Sequence, residues 1–201
     1  MEKNLAQSHR RGKLVLLFAP TGSGKSVLIN HIKEAFPDLA FLTSCTTREP
    51  RPGQENSNYT FLNVQEFKAR IVNGEFLEWA EFGGNFYGTL QAEAEIALHS
   101  GKVVIKEMDA QGIELVRKIL PADELLIIYV DAGSWDELER RVRARAPISE
   151  NELASRKERY SKEVALQGIA DVIIHNLPGE LERAKKEFED VMEEVMVSVR
   201  R

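Results

Sequence analysis

The 201-residue sequence contains one cysteine, Cys45, which excludes an intrachain disulfide and with it the small stapled folds of secreted domains. Long apolar runs are missing too. The longest, LVLLFA from Leu14 and LLIIYV from Leu125, fall far short of the roughly 20 residues that a bilayer-spanning helix needs. There is no excess of positive charge: 27 Lys and Arg stand against 32 Asp and Glu, a net charge of -5. Nucleic-acid binding by bulk charge is therefore not expected, and any anion site must be local. The opening MEKNLAQSHRRGK has no apolar segment of the secretory kind, so the expected compartment is the cytoplasm, with no membrane partner. Repeats and low-complexity tracts are also absent. What remains, 43% hydrophobic and 29% charged residues, matches neither a disordered nor a collagen-like chain and suits one compact domain with a sizeable core.

Short apolar runs rich in β-branched residues occur at Leu14 to Phe18, Val103 to Ile105, Leu125 to Val130 and Val172 to Ile174, and read as strands buried on both faces. Helix-period segments separate them. In Ser26 to Phe36, residues Leu28, Ile32, Ala35 and Phe36 share a face before Pro37 stops the helix. Ser134 with Glu137 and Ser149 with Glu152 read as capping boxes, and Gly101 and Gly168 as helix stops. The last helix, Glu180 to about Val199, aligns Leu181, Ala184, Phe188, Val191, Met192 and Val195 in one stripe expected to pack on the sheet. The alternation predicts an α/β fold, a doubly wound parallel sheet flanked by helices.

Two segments interrupt it. From 45 to 89 the chain turns to Pro, Gly, Asn and aromatic residues around one short helix at Val64 to Val72, which predicts an inserted small antiparallel sheet. From 135 to 166, two Arg-rich amphipathic helices are separated by Ala146 and Pro147. The expected division is thus a core of 13–44, 90–134 and 167–201, an insert of 45–89, a helical lid of 135–166, and a flexible tail of 1–12.

Directly after the first strand comes Ala19, Pro20, Thr21, Gly22, Ser23, Gly24, Lys25, Ser26, and then the first helix. This is where a P-loop belongs. Gly22 and Gly24 let successive N–H groups curl inward, the helix adds its positive end, Lys25 can reach the β- and γ-phosphates, and the Ser26 hydroxyl is a hard ligand for Mg²⁺. Ala19 stands where the motif has its first glycine. Were positive φ required there, alanine would be strained.

A P-loop alone implies only a nucleoside triphosphate. The acceptor is indicated by SCTTREPRPG from Ser44, Tyr59, FLEWAEFGGNFYGT from Phe76 and KEMDAQG from Lys106, which resemble the guanylate kinases over nearly the whole chain. The resemblance implies a P-loop kinase fold with a GMP-binding insert and a helical lid. It also implies phosphoryl transfer from MgATP to GMP, giving ADP and GDP in guanine nucleotide recycling, with ATP and GMP as small-molecule partners. Nothing in the residues separates GMP from dGMP or sets the oligomeric state.

Carried over residue by residue, the resemblance makes Arg48 and Arg51 the forks that hold the GMP phosphate, with the phenols of Tyr59 and Tyr87 beside them. It gives Glu78 the guanine edge. An ionised carboxylate only accepts, so it suits the N1–H and exocyclic amine of guanine, whereas adenine offers a bare lone pair there. Ser44, Thr89 and Asp109 join it at the base, although Thr89 could instead cap the helix that follows. Arg141, Arg145 and Arg156 match lid arginines that reach the ATP phosphates, the alternative being a solvated charge-laced face. Asn176 is assigned to adenine or ribose, or to a turn. Glu107 stands where the family usually has aspartate near the Mg²⁺ water shell, so a water-mediated metal contact is implied. Lys106 beside it is also unusual, and the alternative for both is a strand-facing salt bridge. The rival function is a non-catalytic guanylate-kinase-like domain that binds a phosphopeptide, and another small-metabolite P-loop kinase is a third.

Overall fold

The protein's structure, a computed structural model, describes residues 11–50, 58–145 and 147–200, the side chain of Arg145 excepted. The chain begins β1 (Lys13–Phe18), α1 (Lys25–Ala35), β2 (Ala40–Phe41). It then enters the insert: β3 (Ser44–Thr46), β4 (Tyr59–Phe61), α2 (Val64–Val72), β5 (Phe76–Phe82) and β6 (Asn85–Leu90). It returns through α3 (Gln91–His99), β7 (Val103–Glu107), α4 (Ala110–Ile119) and β8 (Leu125–Asp131). The helices α5 (Trp135–Arg145) and α6 (Glu150–Ala165) precede β9 (Val172–His175) and α7 (Leu181–Arg200).

The central sheet runs β2-β7-β1-β8-β9, parallel at every pairing. Its middle strand explains the unbroken apolar run: Leu14, Leu16 and Phe18 pack on one face with Val104, Ile113 and Val116, while Val15 and Leu17 pack on the other with Leu28, Ile32, Ala184 and Phe188. Both faces are therefore dry, as parallel strands require. The stripe on α7 meets the sheet as expected, with Ala184, Phe188 and Met192 fully buried. Strand β2, two residues long, escaped the sequence reading because periodicity needs more residues.

The second sheet runs β4-β3-β6-β5. It is antiparallel along β3, β6 and β5, but β4 joins β3 in parallel, so the antiparallel insert is corrected to a mixed sheet. One face packs on α2 through Cys45, Phe67, Phe76, Phe86 and Leu90. Helix α2 starts with a complete capping box at Asn63 and Glu66.

Three local expectations need correction. Arg11 and Gly12 do not belong to a loose tail: Gly12 N–H donates to the Leu98 carbonyl at 2.6 Å, and a Cβ on Gly12 would stand 1.9 Å from the Lys102 carbonyl oxygen. Residues 1–10 lie outside the described residues. Gly168 is in a 3₁₀ turn, Gln167–Ile169, whereas Gly101 takes φ 68° after α3 as a helix stop should. At Ser149 only half the box forms, since Ser149 accepts from Glu152 N–H while the Glu152 carboxylate goes to Arg156. Likewise the Glu137 carboxylate is spent on Arg140 and Arg141.

Candidate active site

The P-loop follows β1 at the carboxyl end of the sheet, where open α/β sheets bind ligands. Gly22 and Gly24 have φ of 91° and 85°. A Cβ on Gly24 would also stand 2.4 Å from Asn176 Nδ2, so both conformation and space demand glycine. Gly24 opens α1 without any side-chain cap, which leaves the first N–H groups of the helix to an anion. Ala19 is not strained, since no described non-glycine residue has positive φ. Its methyl is buried in the core instead.

Lys25 is more covered than a surface lysine, its side chain 19% exposed and its Nζ 3.0 Å from Glu107 Oε1. Glu107 thus makes a salt bridge, with the P-loop lysine as its partner. The donors suit magnesium. Ser26 is exposed at the first turn of α1, Glu107 is half exposed at the end of β7, and Mg²⁺ takes one or two hard side-chain oxygens together with phosphates and water.

Asn176 is 4% exposed, and its Nδ2 donates to the Ser23 carbonyl at 2.6 Å. Its own carbonyl accepts from Arg141 Nη1 and Nη2 at 3.3 and 3.2 Å. Asn176 is thus a brace under the loop, and Arg141, steered by Glu137 at 2.6 Å, is the lid arginine brought to it. Arg156 pairs with Glu152 on its own helix. The Arg145 side chain and Arg51 fall outside the described residues.

The second sheet brings together, by alternation, the residues expected at the acceptor. Directly paired residues share a face, and the register pairs Ser44 with Tyr59, Thr46 with Tyr87, and Glu78 with Thr89. Ser44, Tyr59, Tyr87, Thr89 and Glu78 therefore lie on one face, opposite the face buried on α2. Arg48 joins them, its guanidinium 5.2 Å from the Tyr59 ring centroid and 5.7 Å from that of Phe61. Thr89 is fully buried and donates its hydroxyl to Glu78 Oε1 at 2.6 Å. It is no helix cap, since α3 has Leu90 in that position. Burial raises the Glu78 pKa above the usual carboxylate range, with the Thr89 hydrogen bond and Lys106 opposing. Asp109 caps α4 by accepting from Gly112 N–H at 2.7 Å and contributes to the field at Glu78.

Lys106 was noticed in the sequence only as unusual. It is 4% exposed, and burial pushes its pKa down to about 8 against the opposing charges of Glu78, Glu107 and Glu93. It lines a cavity of about 130 Å³ with Ser44, Tyr59 and Glu107. Glu163 on α6 was missed entirely. Burial lifts its pKa to about 7 while Lys25 and Arg159 pull it down, so the lid stands within electrostatic reach of the P-loop. A larger cavity, about 550 Å³, runs between Phe82, Asp109 and Glu163, and the Arg159 guanidinium bridges it 4.6 Å over the Phe82 ring. No sequence motif announces such contacts between distant segments.

A parallel sheet, a P-loop, a lid arginine at the loop and a second sheet presenting a carboxylate, hydroxyls and phenols define a P-loop kinase of the nucleotide-phosphorylating class. The chain belongs to the guanylate kinase family, whose model, "Guanylate kinase", matches residues 11–195. It is 40% identical over 188 residues to a guanylate kinase of Rubrobacter xylanophilus, covering 93% of this chain and 96% of that one. A guanylate kinase of Trichormus variabilis is 38% identical over 166 residues, 82% of each chain. The crystal structure of guanylate kinase from Anaplasma phagocytophilum shares the fold with a TM-score of 0.69 at 24% identity, covering 92% of this chain and 86% of that one.

Proposed function

We infer that the protein transfers the γ-phosphoryl group of MgATP to GMP, giving ADP and GDP. The observation that carries this reading is the shared face of Ser44, Tyr59, Glu78, Tyr87 and Thr89, joined to a P-loop through the central sheet. ATP occupies residues 19–26, with Lys25 leaving Glu107 for the β- and γ-phosphates. Arg48, Tyr59 and Tyr87 hold the GMP phosphate, and Arg51 belongs to the same set. Glu78, Ser44, Thr89 and Asp109 read the base.

A GMP phosphate oxygen, already ionised near neutral pH, attacks the γ-phosphorus in line, and the bond to the ADP oxygen breaks. No general base is required. The chain's work is positioning and neutralisation of charge by Lys25, Arg141, Arg145 and Arg156. Ser26 and, through water, Glu107 would hold Mg²⁺, which withdraws charge from the phosphate oxygens. Closure of the insert and lid over the cleft keeps water from the γ-phosphate. Guanine nucleotide recycling in the cytoplasm is the setting that fits this reaction.

The test is a panel of acceptors with MgATP: GMP, AMP, UMP and a sugar phosphate. GMP should be turned over far faster than the others, and Lys25→Ala should remove most of that turnover while the fold survives. The loss of one phosphoryl clamp costs on the order of 3 kcal/mol of barrier. A phosphopeptide-binding domain would instead show no transfer and no ATP binding, and a different best acceptor would overturn the guanine assignment.

A further inference from the structure

Lys106 stands in the interior of β7, between the buried residues Ile105 and Met108 in a strand whose other inward residues are apolar. A buried ammonium is costly unless its protons are placed. Here they are placed on three consecutive residues: the Leu42 carbonyl at 3.4 Å, the Thr43 carbonyl at 2.8 Å and the Ser44 hydroxyl at 2.6 Å. No carboxylate lies within ion-pair distance of it among the described residues, so the side chain is committed to this one stretch.

That stretch is the connection between the two sheets. Strand β2 ends at Phe41 in the central sheet and β3 begins at Ser44 in the second. The Leu42 N–H still bonds to the Ile105 carbonyl at 3.1 Å, and the Thr43 hydroxyl is turned to Glu93 on α3 at 3.2 Å. Lys106 thus reaches from the core into the joint that carries the acceptor face. Its bond to Ser44 also has a direction. An ammonium only donates, so Ser44 Oγ must accept, and the serine keeps its own proton for a partner on the ligand face. The positive charge of the same ammonium also favours the ionised form of Glu78 on β5.

We propose that Lys106 is a positioning residue for the purine pocket: it holds the Leu42 to Ser44 joint, makes Ser44 a hydrogen-bond donor toward the base, and supplies a positive charge that acts on the Glu78 carboxylate. It does not touch the reacting phosphates. The proposal rests on the reading of Ser44 and Glu78 as base contacts, so the experiment must separate the two.

Lys106→Met keeps the length and apolar stem and removes every donor. In steady-state kinetics the KM for GMP should rise about tenfold or more, while the KM for ATP and kcat at saturating GMP stay within about twofold. Thermal unfolding is followed on the same samples. The substitution takes this donor from the Leu42 and Thr43 carbonyls, so some fall in Tm is expected, and the rise in the KM for GMP is read well below that Tm. Lys106→Arg, which restores a cationic donor, should recover part of the KM. Ser44→Ala should raise the KM for GMP, and adding it to Lys106→Met should cost little more. A lowered Tm with an unchanged KM for GMP would make Lys106 a structural staple and overturn the proposal. Should Lys106→Met fail to fold, an unchanged KM in Ser44→Ala overturns it equally. Glu78→Gln is the control: if it leaves GMP binding intact, the base-face reading itself fails, whereas an effect there without one in Lys106→Met sinks only the role of Lys106.

Discussion

The Asn176 side-chain amide donates to the Ser23 carbonyl at 2.6 Å, across 153 positions of sequence, so the turn after β9 supports the phosphate loop from beneath. Gly24 is part of the same contact, because any Cβ there would collide with that amide.

Asn176→Ala removes the donor and leaves a buried carbonyl unpaired, which costs about 1–3 kcal/mol. Arg141 bonds to the Asn176 main chain and is retained. The expected result is a lower Tm together with a higher KM for ATP, with the KM for GMP unaffected. Equal effects on both substrates would show that the brace is not specific to the loop.

Ala19→Gly restores the glycine usual at the start of the motif, yet it should destabilise. Ala19 has no positive φ to relieve and its methyl is 3% exposed in the core. Glycine adds unfolded-state entropy of about 0.4–1 kcal/mol and gives up about 0.8 kcal/mol of methyl burial. For a chain of this size that is a fall in Tm of several degrees. A rise in Tm in a thermal scan would contradict the local geometry.

Glu163 predicts a slope in stability against pH. Its pKa is raised from 4.5 to about 7, chiefly by burial, so the folded state holds a proton that the unfolded state releases. The stabilisation is full below about pH 4.5, declines as pH rises through 7, and is gone above it. The shift sets a ceiling of about 3 kcal/mol, which solvent at a half-buried site reduces to about 1 kcal/mol. Glu163→Gln should flatten this slope and raise the denaturation midpoint at pH 8. Parallel curves for the two proteins would show that Glu163 titrates normally.

Local features were legible in the sequence and contacts across the fold were not. The P-loop is contiguous, and its glycines carry their own geometric signature. The stripe on α7 and the buried run in β1 are periodic over enough residues to be read. The acceptor face was named through resemblance, and alternation along β3, β5 and β6 gives the reason those residues converge. The roles of Lys106, Asn176 and Glu163 depend on burial or on partners distant in sequence, such as Thr43, 63 positions from Lys106, and Ser23, 153 from Asn176, and no pattern in one sequence encodes either. The mixed pairing of β4 was equally hidden, because a three-residue strand carries no mark of its direction. The capping box at Asn63 and Glu66, by contrast, was readable from its N-x-x-E spacing and was overlooked.

Glu78 offers the sharpest test of base choice. Its Oε1 already accepts from Thr89, and an ionised carboxylate has lone pairs left for the N1–H and amine of guanine. Only the ionised form can accept both. Because burial raises its pKa, GMP binding should weaken as pH falls through that raised value, so the KM for GMP should climb on the acid side while the KM for ATP does not follow it. Glu78→Gln exchanges an acceptor oxygen for a donor NH₂ and removes the charge. The loss of a charge-assisted hydrogen bond is worth roughly 1.5–3 kcal/mol, about a ten- to hundredfold rise in the KM for GMP, and the acid limb should vanish with the titrating group. AMP should gain relative to GMP without becoming a good acceptor, since Ser44 still lines the cavity. An intact preference for GMP over AMP in Glu78→Gln would reduce Glu78 to a partner of Thr89 on the strand and leave base recognition to Ser44, Thr89 and Asp109.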